Sequence, residues 1–470
     1  MGDHYTAARA VGEGFGTPGA LPLSPAQLGI YFAHLRDPRG NRFNLAQVTT
    51  IDGDVDIALF RQAAADVVAA TPALQMVIVA SQGEPQQVAV DRGPVEVPFH
   101  DLREVADPAA AHAVICSRMV HCPFDLERGP LFRWALIKSR EGQTDWVQVS
   151  HHIIADGWSG QRLIGKVASR YGQIVSDGSR CEPLATELYA AHLEEEIAYQ
   201  EGDTSSRDRT YWHALLADAD LAAPFEERGS EADEAHFARH RIVIRAGDLQ
   251  AVNGLAETHG VTPGQVVIAA VAILEAVRQG RNDVVVGTPL LGRFGSAARA
   301  VVSMSSNVGH LRLRDIWNQS TRSLLAVIRG QQLANLRRQR FRYEILRKEI
   351  VGAHSDAPLT RVHVNQMAFD YDIPFGNLRS ETRNLSNGPV DGLSLAIYPQ
   401  MEEQLVIDLN GATENFDSAG LRRVAEQLLH VLKQFSDCGG ETPLASLSLT
   451  PPSDVALLSG FNATEREVAG

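Results

Sequence analysis

Strand-like and amphipathic helix-like patterns run through residues 56–175 and again through 240–435. An acidic, Ala-rich stretch, Asp218 to Phe237, lies between them. This doubling limits the chain more than any other feature. At 470 residues it is too long for one ordinary core, and two lobes of roughly 150–250 residues each are expected. In the first half, Leu59, Phe60, Ala63, Ala64 and Val67 share one face of a helix over 56–70, and a second helix is predicted from Pro108 to Val120. Leu131–Ile137 and Asp145–Ser150 read as strands. Ser159 is placed to cap a helix carrying Leu163, Ile164, Val167, Tyr171 and Ile174.

In the second half, strands are predicted at His240–Arg245, Asp283–Thr288, Val362–Asp370 and Leu405–Asn410. Thr262 and Pro263 open a helix over 265–278, Trp317–Val351 reads as one long helix, and Ser418–Phe435 as another. The fold class is therefore mixed α/β (α+β), and the lobe boundary falls between about 180 and 235. No Gly-rich phosphate loop is present, which argues against a single doubly wound nucleotide-binding sheet.

Composition narrows the function classes. The charge of −14 and the lack of a Lys/Arg-rich run point away from nucleic acid. No apolar run approaches the ~20 residues of a membrane span, and the Gly-rich start has no signal-peptide core. Cys116, Cys122, Cys181 and Cys438 lack CxxC spacing, which suits a reducing cytoplasm and disfavours a structural zinc site.

The chemistry-bearing motif is His151-His152-Ile153-Ile154-Ala155-Asp156-Gly157, directly after the strand 145–150. Neighbouring strand residues point to opposite faces, so one histidine can face a channel while the other packs inward. Histidine suits proton transfer near neutral pH. Asp156 begins a turn and needs a cationic partner if buried, and Gly157 is expected to supply a backbone angle that other residues resist. Two other readings remain open on these residues alone. Such a pair is often structural, and two histidines with a carboxylate also form a ligand set for a metal, although diverging side chains grip one ion poorly.

The motif resembles the HHxxxDG signature of condensation domains of nonribosomal peptide synthetases, and further matches follow in order. Leu23-Ser24-Pro25-Ala26-Gln27 with Ile30-Tyr31-Phe32-Ala33 resembles the first condensation motif. Pro123-Phe124-Asp125-Leu126 with Gly129-Pro130-Leu131-Phe132-Arg133 resembles PFDL…GPLxR. Ser306-Asn307-Val308-Gly309, Asn384–Pro389 and the tail Leu457 to Thr464 resemble later motifs and the linker before an adenylation domain. The resemblance implies two chloramphenicol-acetyltransferase-like lobes forming a V-shaped pseudodimer around a central tunnel. It assigns the catalytic positions to His152 and Gly157, structural roles at the site to His151, Asp156 and Arg293, and the tunnel wall to Ser306, Asn307, Trp158 and Tyr31. No metal is implied. The domain binds no cofactor of its own; the phosphopantetheine arms of a donor acyl carrier protein and an acceptor peptidyl carrier protein enter it, beside an adjacent adenylation domain.

One departure bears on Asp156. The family's usual arginine in its second motif is replaced by Gln75, so Arg293 becomes the candidate partner, with a surface arginine as the alternative. Tyr31-Phe32-Ala33, the altered second motif and Phe369-Asp370-Tyr371 resemble starter-type domains, such as those that open lipopeptide synthetases, which take a fatty or aryl acyl donor. The expected layout is a flexible leader over 1–20, lobes over 21–185 and 186–450, and a linker over 451–470. The rivals are an epimerization domain, which shares HHxxxDG but not this tail, and an inactive recruiting platform for carriers or tailoring enzymes.

Overall fold

The computed structural model describes residues 19–462 except 82–83, 92, 179–181, 220, 222–235, 353–356, 368–371 and 399–403. The leader to residue 18, Cys181, Phe369–Tyr371 and the tail after 462 lie outside the described residues.

Alternating apolar residues build the first sheet. Its five strands run in the order Arg379–Asn387, Asn44–Asp52, Gln143–His151, Phe132–Arg140 and Phe99–Asp101. Trp134, Leu136 and Trp146 point to one face, under the helices Ile57–Ala69 and Gly157–Asp177. Val48, Ile137 and Val147 point to the other, under Cys116 of the helix Pro108–His121. A small sheet joins Leu21–Pro22, Glu84–Ala89 and Met76–Ser81 alongside.

The second sheet has six strands, ordered Asn307–Leu313, Val284–Leu290, Val362–Gln366, Leu393–Ile397, Gln404–Ala412 and Phe237–Arg245. Val362–Gln366 runs parallel to both neighbours, and the other pairings are antiparallel. The helix Pro263–Gln279 is apolar on nearly every side and buried. It is enclosed by Ala246–His259, Thr321–Arg337 and Ser418–Asp437, as expected of a central core helix. Among the described residues no single helix is long and apolar enough to cross a membrane.

The lobes are not consecutive blocks of chain. Tyr189 and Leu193, past the expected boundary at 185, belong to the first core. The strand Arg379–Asn387 of the second half pairs with Asn44–Asp52 over nearly its whole length. Just before it, Phe375 is fully buried among Phe60, Trp146 and Tyr171 of the first lobe, at ring distances of 6.0–6.3 Å. Burying a phenylalanine there ties the halves together by about 3–5 kcal/mol, judged by what removing such a side chain costs.

The single helix expected over Trp317–Val351 is two, Thr321–Arg337 and Tyr343–Val351. Distant partners stabilise the break. Asn307 Nδ2 donates to the carbonyls of Gln339 (2.9 Å) and Phe341 (2.6 Å), satisfying two acceptors of the segment that joins the helices.

Candidate active site

The central strand Gln143–His151 delivers the motif to the boundary between the lobes. His151 ends the strand, its N–H donating to Leu131 O at 2.8 Å. Its ring is buried beside His34, Phe43 and Phe124, with centroids 5.1, 5.8 and 6.1 Å away. Its Nδ1 accepts from Ile153 N at 3.1 Å. Burial, then the neighbouring His34, His152 and Arg133, hold it far below the ordinary histidine range, so it stays neutral.

His152 faces the other way and is only half-buried. Its backbone N–H donates to Phe43 O at 2.8 Å. Its Nδ1 lies 3.0 Å from Ala155 O. A carbonyl only accepts, so Nδ1 carries the proton and Nε2 presents a lone pair. Burial lowers the pKa of His152, with Asp156 opposing and Arg342 reinforcing the shift. The ring is a neutral base at pH 7.

Asp156 is fully buried and caps the helix Gly157–Asp177; its Oδ1 accepts from Ser159 N at 2.9 Å. This corrects the cap expected at Ser159, because the carboxylate one turn earlier reaches the free amides of the helix start. Gly157 is the first helical residue and is not among the described residues with positive φ, so it does not supply the special backbone angle expected of it.

Asp156 Oδ2 sits 2.5 Å from Arg293 Nη1 and also accepts from Ser305 N (3.0 Å) and Ser306 N (2.9 Å). Arg293 is itself fully buried, and its Nη2 donates to Ser159 Oγ (3.0 Å) and to the carbonyl of Ser303 (2.8 Å). Burial opposes the charge on Asp156, but Arg293 and the surrounding donors hold its pKa below the usual carboxylate value. The pair spans the lobes and is hydrogen-bonded on both sides, as a buried ion pair requires. Gln75 instead donates to the carbonyls of Val68 and Ala69 at the end of the preceding helix, Ile57–Ala69.

The remaining residues distribute unevenly. A cavity of about 510 Å³ between the lobes is lined by Trp158, Arg162, Arg293, Phe294, Arg299 and Gln339. Trp158 Nε1 donates to Arg299 O at 3.0 Å across it. Ser306 is half-buried beside Asp156. Asn307 differs from the expected tunnel wall: it is buried, and besides its two donations its Oδ1 accepts from Tyr343 N and Val308 N. Its amide is saturated, which makes it a brace. Tyr31 is half-buried on the helix Pro25–His34, packed against the first-lobe core with its ring edge-on to Phe32.

Residues that sequence reasoning missed include Ser159, Ser303 and Ser305 around the ion pair, and His192, whose Nε2 lies 3.1 Å from Ser305 Oγ. Ser159 stood out only as a helix cap, and nothing in the local sequence of the other three distinguishes them. Among the described residues no group of three or more His, Cys, Asp or Glu is arranged to hold a metal.

An imidazole whose Nδ1 edge is fixed by Ala155 O thus lies at the seam of two α/β lobes, beside a buried ion pair that joins them. The chain matches the family described as "Condensation domain" over residues 18–458 and belongs to it. Condensation domains of nonribosomal peptide synthetases are acyltransferases that form amide bonds, on groups carried by the phosphopantetheine arms of carrier domains.

Among similar proteins, an isonitrile lipopeptide synthase of Streptomyces coeruleorubidus is 32% identical over 88% of this chain and 28% of its own length. Enterobactin synthase component F of Escherichia coli is 27% identical over 95% of this chain and 35% of its own length. The chain thus spans about a third or less of these relatives. Among solved structures, a mutant of the starter condensation domain of rhizomide synthetase in complex with C8-CoA and Leu-SNAC superposes with a TM-score of 0.82. It is 27% identical and matches over 92% of this chain and 98% of that one. The first condensation domain of the calcium-dependent antibiotic synthetase, with a substrate analogue, also gives 0.82, at 25% identity over 92% and 99%.

Proposed function

We propose that this domain transfers a carrier-bound fatty acyl group to the amine of an aminoacyl group on a second carrier, in the manner of a starter condensation domain. The observation that carries the reading is the tautomer of His152: Nδ1–H is committed to Ala155 O, so Nε2 is a free acceptor at the junction of the lobes.

The amine attacks the thioester carbonyl, forming the C–N bond. His152 Nε2 takes the proton that the nitrogen sheds. The tetrahedral intermediate collapses, the C–S bond breaks, and the proton passes to the departing thiolate. Holding two tethered reactants in register supplies much of the acceleration. Asp156 and Arg293 fix the turn that carries His152, and the amide of Gly157 at the helix start orients it. His151 anchors the strand end. Trp158, beside the cavity, and Ser306 border the passage. The helix Pro452–Asn462, which exposes Val455, Leu457 and Leu458, leads toward an adenylation domain. The similarity to a starter condensation domain solved with C8-CoA, and to the first condensation domain of an antibiotic synthetase, supports the acyl-donor reading.

The test offers octanoyl, aryl and peptidyl thioesters on a donor carrier with a set of aminoacyl carriers, and reads products by mass. Octanoyl amides are expected to dominate. His152→Ala should reduce the rate on the order of 100-fold or more while carrier binding persists. Since burial lowers the pKa of His152, wild-type kcat/KM should be flat through pH 7 and fall only below the ordinary value of 6.5. An active His152→Ala variant refutes the base, and exclusive use of peptidyl donors refutes the starter assignment.

A further inference from the structure

Two edges of the His152 ring are accounted for differently. The Nδ1 edge is fixed by Ala155 O. The opposite edge, Cδ2 and Nε2, rests against backbone from the other half of the chain, at Gly388. A Cβ on Gly388 would stand 2.7 Å from His152 Cδ2, 3.4 Å from Nε2 and 3.4 Å from Leu45 Cδ2. The first separation is shorter than real carbon contacts, and Leu45 packs against the same Cβ position. Gly388 also has φ +88°, where a side chain is strained.

Gly388 is itself held from both lobes. Its N–H donates to Ser386 Oγ at 3.3 Å, and that hydroxyl donates to Asn44 O at 2.8 Å, next to Phe43, the residue that receives the His152 N–H. Its carbonyl faces His236 Nε2 at 3.3 Å. His236 Nδ1 in turn faces Asn41 Oδ1 at 3.2 Å, and Asn41 Nδ2 donates to His121 O. Burial keeps His236 neutral with a single N–H; carried on Nε2, it donates to Gly388 O, and Asn41 of an N-lobe loop packs beside Nδ1.

We infer that Gly388 and His236 are positioning residues for the acyl transfer: Gly388 sets the tilt of the His152 ring, and His236, just before the second-lobe strand Phe237–Arg245, holds the Gly388 carbonyl in place. This rests on His152 acting as the base. A tilt that moves Nε2 by about 1 Å is enough to cost on the order of 100-fold in rate.

The experiment compares Gly388→Ala, His236→Leu, His236→Gln and His152→Ala in the full chain, using octanoyl-coenzyme A and the leucyl thioester of N-acetylcysteamine. Gly388→Ala should lower kcat tenfold or more, with KM for both thioesters within twofold of wild type. His236→Leu should lower kcat several-fold, and His236→Gln, whose amide can still donate to Gly388 O, should restore most of it at an equal unfolding midpoint. If Gly388→Ala fails to fold, the His236 pair decides. Gly388→Ala with kcat within twofold of wild type overturns the inference, as does a His236→Gln variant no better than His236→Leu. If His152→Ala remains active, the fault lies in the base assignment. If His152→Ala is dead and Gly388→Ala is not, only the positioning claim fails.

Discussion

Replacing Arg293 by Met removes the paired cation from a fully buried carboxylate while keeping most of the side-chain volume. Removing one partner of such a pair costs about 3–5 kcal/mol. Three backbone donors, Ser159 N, Ser305 N and Ser306 N, would remain on Asp156. The Ser303 carbonyl would keep Ser159 Oγ at 2.7 Å. These surviving bonds place the loss at the lower end, about 3 kcal/mol, or on the order of 100-fold in the unfolding constant. The sign with pH follows from Asp156. In the wild type its pKa is depressed, so its contribution is present above the unfolded value and is lost as pH falls through the folded one. Without Arg293, burial is opposed only by the backbone donors, and that pKa rises. The variant is then penalised at pH 7 and less so as acid neutralises the carboxyl. Urea unfolding, followed by tryptophan fluorescence from pH 4.5 to 8, reads both effects. The gap between wild type and variant should narrow steadily toward low pH, and Arg293→Lys should recover part of it. A variant within 1 kcal/mol of wild type across the range, or a gap independent of pH, would refute the view that this ion pair joins the lobes.

Two more outcomes follow from the structure. Phe375→Ala should cost about 3–5 kcal/mol and loosen the lobes, seen as a lower urea midpoint and faster proteolysis of the segment 373–378; an unchanged midpoint would show that the ring is not a tie. His112, whose Nε2 lies 3.0 Å from Asp145 Oδ2, has its pKa raised to about 9, chiefly by that bond and then by Cys116. A raised pKa gives stability that is complete below 6.5 and lost as pH climbs through about 9. Wild-type stability should therefore decline over that window, while His112→Leu, lower at pH 6, should stay level; parallel curves would contradict the pairing.

The parts of the site that could be read from sequence are those closed by short loops of chain. The strand end at His151, the turn through Ala155 and the helix beginning at Gly157 sit within seven residues, and each carries a local signature. Even the His152 tautomer is set three residues away, by Ala155 O. Strand alternation told the two histidines apart for the same reason. Errors begin where a local group competes with a better one nearby, as when Asp156 takes the cap expected of Ser159.

Larger errors occur where contacts span the chain. The strand Arg379–Asn387 reads Arg-Ser-Glu-Thr-Arg-Asn-Leu-Ser-Asn, with one face polar throughout, because it is an edge strand with little apolar burden of its own. The break at 338–342 has no proline or glycine, since Asn307 and Arg342, not the helix, stabilise it; Arg342 Nη1 donates to Ser305 O at 3.1 Å. Arg293 pairs with a residue 137 positions earlier, and Gly388 touches one 236 positions earlier. These long-range ties converge on the turn around His152. The same contacts that hold the lobes together therefore aim the imidazole, and a substitution that lets the lobes drift apart should lower the rate before it unfolds the chain.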